Sequence, residues 1–563
     1  MSYKDEYERW LDRVTDTELQ QQLQQMDVAA REDAFYRELD FGTAGLRGVL
    51  GAGTNRMNVY TVAKASQGMA NYLLQRYGDR ASVAIGYDSR IKSDVFSRTA
   101  ASVFAGNGIA VHIYPQLSPV PEVSFAVRFL HCSAGVMITA SHNPSKYNGY
   151  KAYGPDGCQM TTEASEAVLA EIGKLDIFCD VKSIPFEQGL AEGRISYIDD
   201  KVVDAFLAEV QAQSVLYGES INKNVAIVYS PLNGTGLVPV TRTLREMGYT
   251  NITVVAEQEQ PDGNFPTCPS PNPEIHEAMA LGMEYAQRCH ADLLLATDPD
   301  CDRVGIAVKN AAGGYTLLTG NQTGMLLLDY LCSQKTKHGK LPQNPVFIKT
   351  IVTTDMAARI ASAYGVRTID VLTGFKYIGE QIGLLESENR ADSYVFGFEE
   401  SYGYLAGSYV RDKDAVVASF LICEMFAFYA TQGVSLIDKL EELYEKYGYS
   451  RNVVCSYQFE GAAGFAKMQE LMGKFRSEFG KSLSQGELGG LEILQVLDYG
   501  PGLGGLPKSE VLKYLLAGNC SVIVRPSGTE PKLKAYVSVA AASAEEAETL
   551  EKKIIVALNE IIS

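Results

Sequence analysis

The sequence predicts an α/β protein: three consecutive α/β domains with mixed, mostly parallel sheets, and a smaller α+β C-terminal domain around a central cleft. Helix-like and strand-like segments alternate from about residue 59, which is typical of βαβ units. This pattern restarts near Val225 and again near Val346. After about residue 445, short strands lead to a Gly-rich turn and a final amphipathic helix. We therefore expect domains at residues 1–205, 206–316, 317–444 and 445–563.

The individual elements follow in order. Residues 4–40 are charged and helical in pattern, and predict a surface helical extension of the first domain. The first α/β unit is predicted from alternating helices and strands at Val59–Gln75, Ser82–Gly86, Val95–Asn107 and Ala110–Tyr114. In the last helix, Ser543 is the expected N-cap, and Ile554, Leu558 and Ile561 share one face.

Composition excludes several classes of protein. With 563 residues and 46% hydrophobic residues, the chain can bury several cores and is not a disordered protein. Its net charge of −18 argues against a general nucleic-acid or anionic-membrane surface. The ten cysteines are scattered without a CxxC pair, and the N-terminus has no signal-peptide pattern, so we expect a cytoplasmic protein. The apolar stretch Ala415–Ala430, interrupted by Glu424, is too short for a membrane span and predicts a buried helix.

An acidic loop, Asp298-Pro299-Asp300-Cys301-Asp302-Arg303, follows the apolar strand 292–296. Carboxylates at every second position of an extended segment point to one side and can converge on a cation. An EF-hand is excluded, because its sixth position is Arg303 rather than Gly and its twelfth is Lys309 rather than Glu. The alternative is a solvated acidic turn. Oxygen ligands without nearby His or Cys favour Mg²⁺ or Mn²⁺ over zinc.

Two further polar loops follow predicted strands. The first is 139–144 (Thr-Ala-Ser-His-Asn-Pro), in which Ser141 beside His142 is either a nucleophile or part of an ordinary polar loop. Ser141 does not lie in a GxSxG elbow, so acyl chemistry has no support. The second is 397–403, with Glu399, Glu400 and Ser401, for which surface charge is the alternative. Because ligands bind at the carboxyl ends of strands in open α/β sheets, we expect the three loops to face one cleft.

A fourth segment, 525–531 (Arg-Pro-Ser-Gly-Thr-Glu-Pro), lies in the C-terminal domain. Arg525, the hydroxyls of Ser527 and Thr529, and a backbone opened by Gly528 form a donor set that suits a phosphate monoester. The alternative is a simple Pro-Gly turn.

These four segments, in this order, resemble the α-D-phosphohexomutase superfamily from about Phe41 to Tyr536. They are similar to its phosphoserine, metal, sugar and distal phosphate loops. Secondary matches include Gly42–Gly48 with Arg47, Tyr87-Asp88-Ser89-Arg90, Pro261–Pro266, Thr373–Lys376 and Asp412–Asp414. Pro299 stands where many members have Gly, and with the helical extension it looks most like the bacterial phosphoglucomutase and phosphopentomutase branch.

The resemblance implies a phosphosugar mutase that interconverts glucose 1-phosphate and glucose 6-phosphate, with glucose 1,6-bisphosphate as intermediate and activator. Ser141 would carry the phosphoryl group and, with Asp298, Asp300 and Asp302, would hold Mg²⁺. Arg47 and Arg303 would neutralise the transferred group. The base would be Lys413, Lys376 or His142, with Lys413 preferred. The implied substrate-binding residues are Thr373, Gly374, Lys376, Glu399, Ser401, Arg525, Ser527, Gly528, Thr529 and Lys534.

Other functions stay open at this point. A pentose or mannose phosphate could be the main substrate, since these sugars offer the same phosphate and hydroxyl groups. A Mg²⁺-dependent sugar phosphatase and a non-catalytic sugar-phosphate sensor are the alternatives from other classes. The expected partner is a phosphorylated monosaccharide, with neither nucleic acid nor membrane, and the expected assembly is a monomer or homodimer.

Overall fold

The computed structural model describes residues 2–42, 45–459, 461–478, 486–526 and 532–562. It begins with three capped helices, α1 Tyr3–Arg13, α2 Thr17–Gln25 and α3 Val28–Phe35. The predicted helical extension is confirmed, but it is not only a surface feature. Trp10 is fully buried and packs edge-on against Phe35, Tyr60 and Phe178. The extension therefore shares a core with the first α/β domain.

The first sheet has the strand order β1-β5-β4-β2-β3-β6. Strand β2 pairs in parallel with β3 and β4, whereas β5 is antiparallel to β1 and β4. The predicted alternation over residues 59–114 is confirmed to within a few residues. The elements are β1 Gly45–Val49, α4 Val59–Tyr77, β2 Ser82–Tyr87, α5 Ser93–Gly106, β3 Ala110–Ile113, α6 Val120–Phe129, β4 Ala134–Ile138, β5 Tyr147–Tyr153, α7 Thr162–Ile172, α8 Phe186–Ala191, β6 Ile195–Tyr197 and α9 Asp200–Gln211.

The second sheet has the order β11-β10-β9-β7-β8. Strand β7 pairs in parallel with β8 and β9, and β10 is antiparallel to its neighbours. Strand β9 is buried along its whole length, as expected for the strand before the acidic loop. The elements are β7 Ile227–Ser230, α10 Leu237–Glu246, β8 Ile252–Val254, α11 Ala256–Glu259, α12 His276–Cys289, β9 Leu293–Thr297, β10 Val304–Lys309 and β11 Tyr315–Leu318.

The third group of elements contains the parallel pair β12 and β13. Helix α16 is buried over nearly its whole length, which confirms the prediction for the apolar stretch. Among the described residues, no single helix is long and apolar enough to cross a membrane. The elements are α13 Gly320–Lys337, β12 Val346–Thr350, α14 Asp355–Ala363, β13 Arg367–Val371, α15 Phe375–Ser387, β14 Tyr394–Glu399, β15 Gly403–Leu405, α16 Ala415–Thr431 and α17 Leu436–Tyr447.

The C-terminal elements form an antiparallel sheet of order β16-β21-β20-β19-β18-β17. Helices α18 and α19 help to build its apolar core. The predicted cap of the last helix is confirmed, since Ser543 Oγ accepts a 3.2 Å hydrogen bond from Glu546 N. The elements are β16 Tyr449–Gln458, α18 Gly461–Glu478, β17 Glu487–Leu488, β18 Leu491–Asp498, β19 Leu512–Leu516, β20 Cys520–Pro526, β21 Lys532–Ala541 and α19 Ala544–Ile562.

The described chain divides into two compact units. The first comprises residues 1–320, 375–397 and 401–432. It contains both mixed sheets and the loops that follow β4 and β9. The second comprises residues 321–374, 398–400 and 433–563, and it contains the C-terminal antiparallel sheet.

Candidate active site

The segment after β4, residues 139–147, is here called the Ser141 loop. Ser141 has a φ of 52°, in the left-handed region that a non-glycine residue seldom occupies. Its hydroxyl donates a 2.8 Å hydrogen bond to Asp298 Oδ2 and lies 3.1 Å from His142 Nδ1. Thr139 fixes the loop from within, because its hydroxyl accepts from Ser141 N and donates to Asp300 Oδ2. The loop that follows β4 thus meets the loop that follows β9.

Asp298, Asp300 and Asp302, here called the aspartate cluster, are all buried. One oxygen from each lies within 4.8 Å of the others, a spacing that can hold one cation. The Oδ1 atoms of Asp300 and Asp302 are buried and accept no hydrogen bond from the described residues. Buried carboxylates with free lone pairs need a cation, so this donor set fits a metal that prefers oxygen ligands. Burial, reinforced by the other two carboxylates, raises the pKa of Asp298 well above its usual range.

Two lysines carry the positive charge nearest the cluster. Lys151 Nζ lies 2.8 Å from Asp300 Oδ2 and 3.1 Å from Asp302 Oδ2, and Lys413 Nζ lies 3.1 Å from Asp302 Oδ2. Burial opposes ionisation, but the two ammonium groups hold the pKa of Asp302 well below its usual range. Sequence reasoning missed Lys151. A lysine within a largely buried strand is unusual, but its approach to the cluster depends on the antiparallel pairing of β5 with β4.

Arg303 and Arg47 are the arginines expected to face the transferred group. Arg303 pairs with Glu274 at 2.6 Å, and its Nε lies 3.6 Å from Asp302 Oδ1. Glu274 was also missed, since nothing in its local sequence connects it to the acidic loop. Arg47, on β1, donates a 3.3 Å hydrogen bond to Asn143 Oδ1 in the Ser141 loop.

The three candidate bases differ in their surroundings. Burial, followed by the charges of Arg303 and Arg47, lowers the pKa of His142 well below its usual range, so its imidazole is neutral near pH 7. Burial also lowers the pKa of Lys376, whose Nζ has no hydrogen-bond partner among the described residues. Lys413 instead pairs with Asp412 at 3.0 Å and with Asp302. Its contacts with two carboxylates suit a role in charge neutralisation.

In the second unit, Glu399 forms the end of β14 rather than part of a loop. Its Oε1 accepts a 2.9 Å hydrogen bond from Gly374 N, so two predicted substrate-binding positions are in contact. Thr373 Oγ1 is buried without a hydrogen-bond partner among the described residues. Ser401, in the first unit, is half-buried in the turn before β15.

The C-terminal sheet places Arg525 directly opposite Lys534 on neighbouring antiparallel strands, so both side chains lie on one face. Tyr536, which the sequence did not single out, lies on the same face. Burial raises the pKa of Tyr536 to about 12, and the Glu400 carboxylate acts in the same direction. Arg525 acts in the opposite direction on this pKa. The predicted phosphate-binding residues Ser527, Gly528 and Thr529 lie outside the described residues.

Comparison with known proteins gives a consistent result over most of the chain. Models described as phosphoglucomutase/phosphomannomutase alpha/beta/alpha domains I, II and III match residues 38–177, 204–314 and 319–447. The C-terminal domain model of the same family matches residues 486–556. A phosphoglucomutase from Staphylococcus saprophyticus is 36% identical over 543 residues, covering 94% of this chain and 96% of its own length. One from Staphylococcus aureus is 35% identical over 549 residues, covering 94% and 95%.

Solved structures with the same fold are more distant in sequence. Parafusin, a phosphoglucomutase from Paramecium, has a TM-score of 0.69 at 17% identity, covering 93% of this chain and 95% of its own. A phosphoglucomutase/phosphomannomutase family protein from Burkholderia thailandensis has a TM-score of 0.68 at 17% identity, covering 92% and 97%. An N-acetylphosphoglucosamine mutase from Aspergillus fumigatus, in complex with GlcNAc-6P and magnesium, has a TM-score of 0.51 at 14% identity, covering 94% and 97%.

Proposed function

The chain belongs to the phosphoglucomutase/phosphomannomutase family, and on that premise we propose that it interconverts glucose 1-phosphate and glucose 6-phosphate through a phosphorylated Ser141. It is a phosphohexomutase, and thus an isomerase. The observation that supports the role of Ser141 is its hydroxyl, 2.8 Å from the first carboxylate of the aspartate cluster. A cytoplasmic location is in keeping with ten free cysteines.

Phosphoryl transfer between the sugar and Ser141 determines which groups the site must supply. Phosphate monoesters react very slowly in water, and phosphoryl transfer depends mainly on positioning and charge neutralisation. In the proposed cycle, a free sugar hydroxyl attacks the phosphorus on Ser141. A bond forms between the sugar oxygen and phosphorus, and the bond between phosphorus and Ser141 Oγ breaks. The hydroxyl proton passes to a base, for which Lys413, Lys376 and His142 stay candidates. The bisphosphate then reorients in the site, and Ser141 Oγ attacks its other phosphorus. The bond between that phosphorus and the sugar oxygen breaks, the sugar oxygen takes up the proton, and Ser141 is phosphorylated again.

Asp298, Asp300, Asp302 and the phosphorylated Ser141 would hold the divalent metal. Magnesium is present in the fungal relative, and carboxylate oxygens are ligands that it accepts, so we assign Mg²⁺ to this site. When bound, the metal supplies Lewis-acid stabilisation of charge on the transferred group. Arg47 and Arg303 would add two guanidinium groups to that stabilisation. Lys151 and Lys413 balance the charge of the carboxylates themselves.

Two groups of residues are assigned to the substrate. We assign Glu399, Ser401, Thr373, Gly374 and Lys376 to the sugar. We assign Arg525, Ser527, Gly528, Thr529 and Lys534 to the phosphate that is not being transferred. The contact between Glu399 and Gly374, and the shared face of Arg525 and Lys534, support these two groupings. Glucose 1,6-bisphosphate would phosphorylate a resting Ser141 and so act as activator.

The test is a panel of glucose, mannose, glucosamine and pentose 1-phosphates, each assayed with Mg²⁺ and glucose 1,6-bisphosphate. We expect glucose 1-phosphate to be converted fastest, without release of inorganic phosphate in proportion. Ser141→Ala should abolish isomerisation, whereas Ser387→Ala should not, since that exposed hydroxyl bonds only within its own helix.

Four other results would contradict the proposed function or part of it. Near-normal turnover by Ser141→Ala would refute the phosphoserine mechanism. Faster conversion of a mannose or pentose phosphate would refute the glucose assignment. Stoichiometric release of inorganic phosphate would identify a phosphatase, and absence of any conversion would favour a sugar-phosphate sensor.

A further inference from the structure

Arg90, which follows strand β2, is buried and turns its guanidinium toward the Ser141 loop. Its Nε donates to the Ser141 carbonyl at 3.2 Å, and Nη1 donates to the carbonyls of Pro144 and Tyr147 at 3.1 and 3.0 Å. Its Nη2 donates to the carbonyls of Ser141 and Asn143. One side chain therefore satisfies four backbone carbonyls of this loop, which is possible because guanidinium offers five donors in a fixed plane.

These contacts bear on the reacting serine through its backbone. Ser141 occupies the left-handed region, which costs free energy and persists only where the surroundings enforce it. The carbonyl of Ser141 fixes the orientation of the peptide plane that follows Cα, and so restricts the backbone from which Oγ projects toward Asp298. Without Arg90, the carbonyl of the buried Ser141 and three other carbonyls of the loop would lose their partners, and the loop would rearrange.

A loop of the second α/β domain holds Arg90 from the other side. The ring of Phe265 lies 5.0 Å from Arg90 Cζ, within the range of a cation–π contact. Gly263 packs directly on the backbone of residues 89–91. A Cβ placed on Gly263 would lie 2.4 Å from Ile91 N and 2.8 Å from Ser89 O. The segment Pro261–Pro266 thus fits closely against the segment that carries Arg90.

Asp88 completes the arrangement. Its carboxylate is buried and lies 3.4 Å from Arg90 Nε, which compensates the buried positive charge. Its other oxygen accepts hydrogen bonds from Arg90 N and from Ser93 Oγ, at 3.0 and 2.7 Å. Besides its contacts with the Ser141 loop, Arg90 is thus held by the Asp88 carboxylate, by its own backbone N–H and by the ring of Phe265.

We propose that Arg90 is a positioning residue for phosphoryl transfer: it holds the backbone of Ser141 in the left-handed conformation, and Phe265 keeps the Arg90 guanidinium in place. This inference rests on the proposed role of Ser141. Arg90 donates only to backbone carbonyls of the loop and not to Ser141 Oγ. Its removal should therefore lower kcat and leave KM unchanged. Lysine cannot substitute, because a single ammonium does not reproduce the planar fork.

The experiment compares three variants in the full-length protein. Arg90→Lys should lower kcat about 100-fold, the effect expected when a reacting group is misplaced by about 1 Å. Phe265→Leu keeps an apolar side chain but loses the cation–π contact, and should lower kcat by about tenfold. Arg128→Lys is the matched control, since Arg128 also binds a backbone carbonyl and a carboxylate, those of Asp156 and Glu386. It should leave kcat unchanged.

A second readout follows the serine directly. Phosphorylation of Ser141 by glucose 1,6-bisphosphate, measured as intact protein mass against time, should slow in Arg90→Lys by the same factor as kcat. A role in stability alone would lower the midpoint of urea unfolding and leave this rate unchanged in the folded fraction. That result would overturn the inference, as would a rise in KM at constant kcat.

The outcomes separate this inference from the function on which it rests. If Ser141→Ala keeps its activity, the proposed function fails. If Ser141→Ala is inactive while Arg90→Lys keeps a normal kcat, only the role of Arg90 fails. Should Arg90→Lys not fold, Phe265→Leu decides, because an unchanged kcat and phosphorylation rate in that variant would also overturn the inference.

Discussion

Gly234, in the loop that follows β7, is predicted to be irreplaceable even by alanine. The loop runs beside the acidic loop, and Thr235 N donates a 2.9 Å hydrogen bond to the Pro299 carbonyl. A Cβ on Gly234 would lie 2.4 Å from Pro299 Cα and 2.6 Å from its carbonyl oxygen. Both atoms belong to the backbone, so no side-chain rotation can relieve the clash.

The size of the effect follows from these distances. Ordinary contact begins at 3.4 Å, so Pro299 must retreat by about 1 Å in Gly234→Ala. Pro299 lies between Asp298 and Asp300, and a shift of its backbone moves both carboxylates. Because a misplacement of about 1 Å costs about 100-fold in rate, we expect kcat/KM to fall by about that factor. Affinity for the divalent metal should fall as well.

The assay is isomerisation of glucose 1-phosphate at several Mg²⁺ concentrations. Gly473→Ala is the matched control, since a Cβ there meets no atom within 4 Å. It lies inside α18 and should be neutral or slightly stabilising, as alanine favours a helix by about 0.5–1 kcal/mol. A folded Gly234→Ala protein with wild-type kcat/KM and unchanged Mg²⁺ dependence would refute the reasoning.

Two further predictions concern buried charges. Lys151→Met should destabilise the metal-free protein by about 3–5 kcal/mol in urea unfolding with EDTA, because Asp300 and Asp302 lose a buried partner. Excess Mg²⁺ should reduce this loss, and an equal loss with and without Mg²⁺ would contradict the prediction. Burial, with the charge of Asp414, raises the pKa of Glu122 from 4.5 to about 8, so the native state holds a proton that the unfolded state releases. The free energy of unfolding should therefore fall between pH 4.5 and 8 by up to ~1.4 kcal/mol per pH unit. In Glu122→Gln this part of the pH dependence should be absent. Identical pH profiles of unfolding for the two proteins would contradict the raised pKa of Glu122.

Much of the architecture could be predicted because the order of strands, helices and polar loops depends on short-range sequence patterns. The strands before Ser141 and Asp298 are short apolar runs, and each ends in a polar loop. Each loop could thus be placed at the carboxyl end of its own strand. Because β4 and β9 belong to different sheets, the meeting of the Ser141 loop with the aspartate cluster depends on packing between the two sheets.

What the sequence could not predict depends on register and on packing between distant segments. Lys151 reaches the aspartate cluster because β5 is antiparallel to β4, and that pairing has no local signal. Glu399 was expected in a loop, but β14 continues through it and presents its carboxylate to Gly374 N. Likewise, the contact between Phe265 and Arg90 joins two motifs about 175 residues apart, whose mutual fit depends on the fold of both domains.

The N-terminal helices determine what one common spectroscopic signal can report. Trp10 is the only tryptophan of the chain, and it is enclosed by Phe35, Tyr60 and Phe178. The fluorescence of Trp10 will therefore report detachment of these helices from the first domain. It will not respond to unfolding of the antiparallel C-terminal sheet. A mismatch between the emission midpoint and the circular-dichroism midpoint would then measure how independently the two ends of the polypeptide melt.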